Sequence, residues 1–207
     1  YDLALQFDNK DSHNFVLRAK PQMLKDQGKT EEWIVAMKEM IALAPDSDVG
    51  EIGMQQLMSH YNNAGNEAVD AYTKELVEKY PNSKVANYCR GFAFYAKSDF
   101  SNAITFFQKS VEIDPDYADG VYNCGYCYYQ NALEKAREIS GKKMKSQAAI
   151  KAAEDEVKSL FAKAAPYFER YRELDDKEPS RWAAPLKVIY NNTGEKEKAA
   201  EMDAYLN

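Results

Sequence analysis

Cys124-Gly125-Tyr126-Cys127 is the pattern in this chain closest to a reactive site. Two cysteines so spaced support thiol–disulfide exchange when the first sits at a helix N-terminus in a βαβ unit that stabilises its thiolate. Here the flanking residues keep helical periodicity on both sides, which places the pair inside a helix on packing positions. Buried cysteines acting as small apolar residues are the simpler reading. Two cysteines do not close a zinc site, and the two histidines, His13 and His60, are distant in sequence. Phosphate-loop, dinucleotide-fingerprint, zincin and nucleophile-elbow patterns are absent from the sequence. Carboxylate runs such as Glu154-Asp155-Glu156 read as a solvated helix face. The expectation is a non-enzymatic protein with no cofactor and no metal, thiol exchange through Cys124 and Cys127 being the enzymatic alternative.

Aromatic residues carry a stronger signal. Tyr88, Phe92 and Tyr95 are followed 34 residues later by Tyr122, Tyr126 and Tyr129. Steps of four and three put each trio on one helix face. Tyrosine offers a large rigid area with a polar tip, which suits recognition. The alternative is that a later helix folds over the stripe and buries it, since six open aromatics make a costly patch. Upstream, the equivalent positions are polar: Arg18, Gln22 and Lys25, then Gln55, Ser59 and Asn62. A further cluster is basic. Lys135, Arg137, Lys142, Lys143, Lys145 and Lys151 stand against one acid, Glu138, and could meet an acidic partner or membrane headgroups. A solvated turn kept soluble by lysines is the simpler account.

The elements that must position these residues are marked by prolines. Pro45, Pro81 and Pro115 lie 36 and 34 residues apart, each after an amphipathic segment, over 33–44, 67–80 and 102–114. Proline cannot continue a helix and pushes its predecessor out of the helical region, so each marks a helix end. Midway between these stops lie the turn signals Gln27-Gly28-Lys29, Ala64-Gly65-Asn66 and Lys97-Ser98-Asp99. The repeating unit is therefore a helical hairpin of about 34 residues. Ile150, Val157, Leu160, Phe161, Ala164, Phe168 and Tyr171 keep helical spacing, predicting one long helix over 145–175 that Pro166 kinks without ending.

Composition agrees with a folded helical chain. Of 207 residues, 45% are hydrophobic and 29% charged, enough for a core and against disorder. A net charge of −6 argues against nucleic acid, whose phosphates reward a basic surface. No apolar run approaches the ~18 residues of a membrane span. Residue 1 sits in an amphipathic, charged segment without a signal-peptide pattern, compatible with a cytoplasmic or an exported protein.

The hairpin over 83–117 reads Asn87-x2-Arg90-Gly91-x2-Phe94, Ala103-x3-Phe107 and Pro115. It resembles the tetratricopeptide repeat (TPR) signature of Leu-Gly-x2-Tyr, Ala-x3-Phe and a closing Pro, departing from it at Asn87 and Arg90. The next copy opens with Val121-x2-Cys124-Gly125-x2-Tyr128 and closes late, with Ala164-x3-Phe168. An insertion over about 132–160 lies between the halves. Weaker copies occupy 12–46, with Pro21 in place of Gly, and 48–82; 118–176 holds the lengthened copy and 179–207 a last short hairpin. Residues 1–9 resemble the tail of a repeat's second helix, so the chain is expected to begin mid-repeat with native sequence upstream.

The resemblance, to a bacterial-type multi-repeat TPR protein with a lengthened hairpin, implies an all-α, right-handed superhelical solenoid formed by the whole chain. It implies that both aromatic trios and the polar residues upstream line a concave groove that binds a protein or peptide. A carboxylate clamp is not expected, because Val85, Tyr88 and Cys89 stand where polar clamp residues would be wanted. A self-assembling module with the stripe buried, hence a homo-oligomer, is the structural alternative.

Overall fold

The computed structural model describes residues 10–45, 47–141 and 146–206, without the side chains of 10–14 and 16. All regular structure among them is helical, arranged as consecutive hairpins. In order these are α1 (Lys10–Asp26) with α2 (Thr30–Leu43), α3 (Asp48–Ala64) with α4 (Asn66–Lys79), α5 (Lys84–Tyr95) with α6 (Phe100–Ile113) and α7 (Ala118–Gly141) with α8 (Gln147–Leu174). Last come α9 (Pro179–Thr193) and α10 (Lys196–Glu201), which runs into a 3₁₀ turn over Met202–Tyr205. The chain divides into two compact units, Tyr1–Ala93 and Phe94–Asn207, the boundary falling within α5.

The prolines stop helices as their chemistry requires. α2, α4 and α6 end two residues before Pro45, Pro81 and Pro115. The intervening Ala44, Tyr80 and Asp114 leave helical geometry at ψ of 59°, 63° and 98°, yet each still donates its N–H to a carbonyl four residues back. Asp175 ends α8 in the same geometry (φ −147°, ψ 98°) with no proline beside it. Its carboxylate instead accepts the Lys177 N–H at 3.2 Å and the Tyr171 hydroxyl at 3.3 Å, so an aspartate turn replaces the ring constraint. Helix starts are capped by Ser47, Asp99 and Ser146, whose side chains accept N–H groups three residues on.

In the first unit α1, α2, α3 and α4 pack each on the next around Leu17, Trp33, Met37, Met54 and Leu57. The two departures from the repeat signature are seated by hydrogen bonds. Asn87 is fully buried and donates its amide to the carbonyls of Pro81 and Ser83 at 3.0 and 2.8 Å. Arg90 reaches back to α4, donating to Asp70 Oδ1 at 2.9 Å, the Asp70 carbonyl and Thr73 Oγ1.

In the second unit α6 to α10 again pack in sequence. The core joins Val121 and Ala132 of α7, Phe161, Ala164 and Phe168 of α8, and Trp182, Leu186 and Ile189 of α9. Two aromatic stacks sit at equivalent places: Phe94 on Phe106 (5.6 Å between centroids) and Tyr128 on Tyr167 (5.9 Å). Gln108 donates to both hydroxyls of the second stack. Equivalent positions are 34 residues apart on the first helices and 61 on the second, so the hairpin carries 27 inserted residues. They lengthen α7 to 24 residues and α8 to 28. α8 runs unbroken through Pro166, which is exposed.

Gly125 is a point of close approach between α7 and α8. A Cβ there would lie 2.8 Å from Tyr167 Cβ and 3.4 Å from the Phe168 ring. Cys124 and Cys127 flank it and are fully buried, as is Cys89 in the first unit, and all three are free thiols. Burial pushes each thiol from the ordinary 9.0 up to about 12.

Gly125→Val should lower stability by about 1–3 kcal/mol, the range for forcing methyl groups into a packed contact, as read by denaturant unfolding. The thiols set a pH limit. A raised pKa in the folded state means that the unfolded chain releases its protons first as pH rises. Their stabilisation is complete below about 9 and is lost as pH climbs toward about 12. The melting temperature should therefore fall between pH 8 and 10, and fall less in the Cys124→Ala/Cys127→Ala variant.

Candidate functional site

The residues expected to form one stripe are held in two groups. Tyr88 and Phe92 of α5 belong to the first unit, half-buried with centroids 6.4 Å apart. Tyr95 belongs to the second unit, with Tyr122, Tyr126 and Tyr129 of α7. There they form a continuous chain of rings. Tyr95 meets Tyr126 edge to face at 6.0 Å, Tyr126 stacks on Tyr122 at 5.8 Å, and Tyr129 lies 6.3 Å from Tyr126.

One side of this cluster is covered by α8 and α9. Tyr122 leans on Phe168 and Tyr171 of α8 at 6.0 and 5.0 Å, and Tyr129 on Phe161 and Phe168 at 5.9 and 6.3 Å. Arg181 of α9 lies over the Tyr122 ring at 4.3 Å and the Tyr171 ring at 5.0 Å. All four tyrosines stay half-buried. Desolvation, with the neighbouring hydroxyl of Tyr126 second, raises the pKa of Tyr95 and Tyr129, so both remain neutral donors. Tyr95 and Tyr126 also face outward. With Ser98, Phe100, Gln130 and Glu134 they line a cavity of about 430 Å³.

The polar set of the first unit is exposed: Arg18, Gln22 and Lys25 on α1, Gln55, Ser59 and Asn62 on α3. Arg18 and Gln22 line a cavity of about 740 Å³, Lys25 and Ser59 another of about 320 Å³; Gln55 and Asn62 line neither. Trp33 forms a wall of both, and Gln56 completes both. Trp33 is not among the candidate residues that the sequence singled out. Its indole packs edge-on to His60 at 5.4 Å.

Of the basic cluster, Lys135 pairs with Glu156 at 3.0 Å, while Arg137 and Lys151 are exposed. Lys142, Lys143 and Lys145 lie outside the described residues, as do residues 1–9. Among the described residues no His, Cys, Asp or Glu cluster has the makings of a metal site, and no helix is long and apolar enough to cross a membrane.

A family model described as TPR repeat matches residues 91–131, spanning the end of α5, all of α6 and half of α7. No curated protein matches the chain. Among solved structures, a crystal structure of MamA protein is 16% identical with a TM-score of 0.59, covering 93% of this chain and 88% of that one. A second MamA crystal structure gives 17% and 0.58, over 89% and 91%. A Bacteroides ovatus ATCC 8483 structure, named as a candidate protein-binding protein, gives 15% and 0.54, over 88% and 98%. Identities this low speak for the fold alone. A repeat matched at residues 91–131 and the same hairpin pattern on either side give the chain a tetratricopeptide-repeat-like fold.

Proposed function

We propose that this protein is a non-enzymatic scaffold that holds another protein or a peptide on the aromatic faces of its repeats, the whole chain forming one solenoid. The observation that carries the reading is the Tyr95–Tyr126 pair at the wall of an open cavity, backed by tyrosines that the core holds rigid. Rigid aromatics lose little entropy on binding and contribute large contact areas, the pattern of an interaction hot spot. The first unit offers its own aromatic pair, Tyr88 and Phe92, and an exposed polar set on α1 and α3. A Bacteroides ovatus relative in fold carries a protein-binding name, which agrees with this reading. Thiol exchange fits poorly with cysteines that are buried and held protonated.

A second reading is favoured by Phe15 and Met23, which are 73% and 51% exposed on α1. Apolar side chains left open on one helix suit self-association. Sedimentation of the purified chain decides it, a concentration-dependent dimer lost in Phe15→Ser/Met23→Ser being the positive result.

For the main reading, Tyr95→Ala/Tyr126→Ala should reduce recovery of partner proteins from the native source at least tenfold, with the helical circular dichroism unchanged. Roughly 1.4 kcal/mol of lost contact energy suffices for that. Undiminished recovery would sink the proposal. Tyr122→Ala, which removes a ring seated on Phe168 and Tyr171, should instead show itself as lost stability.

A further inference from the structure

The second unit already uses its aromatic faces to hold cations. Arg181 lies over Tyr122 and Tyr171 at 4.3 and 5.0 Å. Arg172 of α8 lies 4.9 Å from the ring centroids of both Trp182 and Tyr205. The physical reason is common to both, since the face of an aromatic ring carries the negative part of its quadrupole and attracts a guanidinium. Tyr126 stacks directly on Tyr122 and continues that electron-rich surface to the cavity, where Tyr95 stands across it at 65°.

Charge points the same way. Among the described residues Glu134 is the one charged residue lining this cavity, and its side chain is exposed. It follows Tyr126 by eight residues on α7, about 12 Å along the helix. An aromatic corner with a carboxylate 12 Å away matches two cations, not one. Twelve ångströms is three to four residues of extended chain. The net charge of −6 adds a long-range attraction for a basic ligand.

We infer that the cavity between Tyr95, Tyr126 and Glu134 binds a basic segment of a partner protein. One Arg or Lys lies against the tyrosines, and a second, three or four positions on, pairs with Glu134. This rests on the reading of the tyrosine face as the partner-binding surface and names the chemistry of what it takes.

The test is a titration of the full chain, followed through its backbone amide resonances, with acetyl-Arg-Gly-Ser-Gly-Arg-amide. Peptides carrying norleucine or glutamate at both arginine positions are the controls. The expected result is saturable shifts at residues 95–100 and 126–134 for the arginine peptide, at least tenfold weaker binding for norleucine, and none for glutamate. Tyr126→Leu keeps apolar area without the quadrupole and should weaken binding roughly three- to thirtyfold. Glu134→Gln, at an exposed position that does not threaten folding, should weaken it by up to about fivefold and reduce its salt dependence. Equal binding of the norleucine peptide, shifts mapping elsewhere, or indifference to Glu134→Gln would overturn the inference. If native partners are lost in Tyr95→Ala/Tyr126→Ala but are indifferent to Glu134→Lys and to competing arginine peptide, the basic ligand is wrong and the scaffold stands. Arginine-peptide binding with undiminished partner recovery in the tyrosine variant overturns the scaffold and leaves the cation site.

Discussion

The second unit depends on how closely α7 and α8 approach at Gly125. With no side chain there, Tyr167 Cβ comes within 2.8 Å of where a Cβ of residue 125 would stand, and the Phe168 ring packs beside it at 3.4 Å. That one contact fixes the register of the two longest helices. Register in turn places Tyr122 and Tyr129 on Phe161, Phe168 and Tyr171, and Tyr128 on Tyr167. The tyrosines are held from behind by packing, which leaves their outward faces rigid.

Much of this was written in the spacing of a few residue types. Proline at 45, 81 and 115 located three helix ends, and the repeat phase located Gly125 and Ala164 as signature positions of the lengthened copy. The phase works because a hairpin repeat sets its contacts locally, so residue type and position carry the same information. Asp175 shows the limit: it ends α8 as the prolines end the other helices, through side-chain hydrogen bonds that no spacing rule flags. Asn87 and Arg90, which break the repeat signature, find partners in Ser83 and Asp70 that only the folded chain brings near.

The aromatic stripe was legible as a set of helix faces and illegible as a surface. Spacing placed Tyr122, Tyr126 and Tyr129 on one side of α7, but how far α8 and α9 lean over that side depends on packing between helices. The outcome is graded, with Tyr122 and Tyr129 against the core and Tyr126 toward the cavity. Arg181, which covers Tyr122 from a helix some sixty residues later, carried no signal in the sequence. The C-x-x-C pattern is the opposite case. Its helical context already argued for packing, and the buried, protonated thiols agree.

The sequential packing of helices within each unit also bears on how the molecule assembles. Each helix packs chiefly on its neighbours along the chain, so closing those contacts costs little loop entropy. A stack of this kind has no single nucleus imposed by topology, and order spreads outward from whichever hairpin is most stable. The 27 extra residues make α7 and α8 the pair with the longest shared interface in their unit. The insertion thus turns one repeat into a seed, from which α6 on one side and α9 on the other can be recruited in turn.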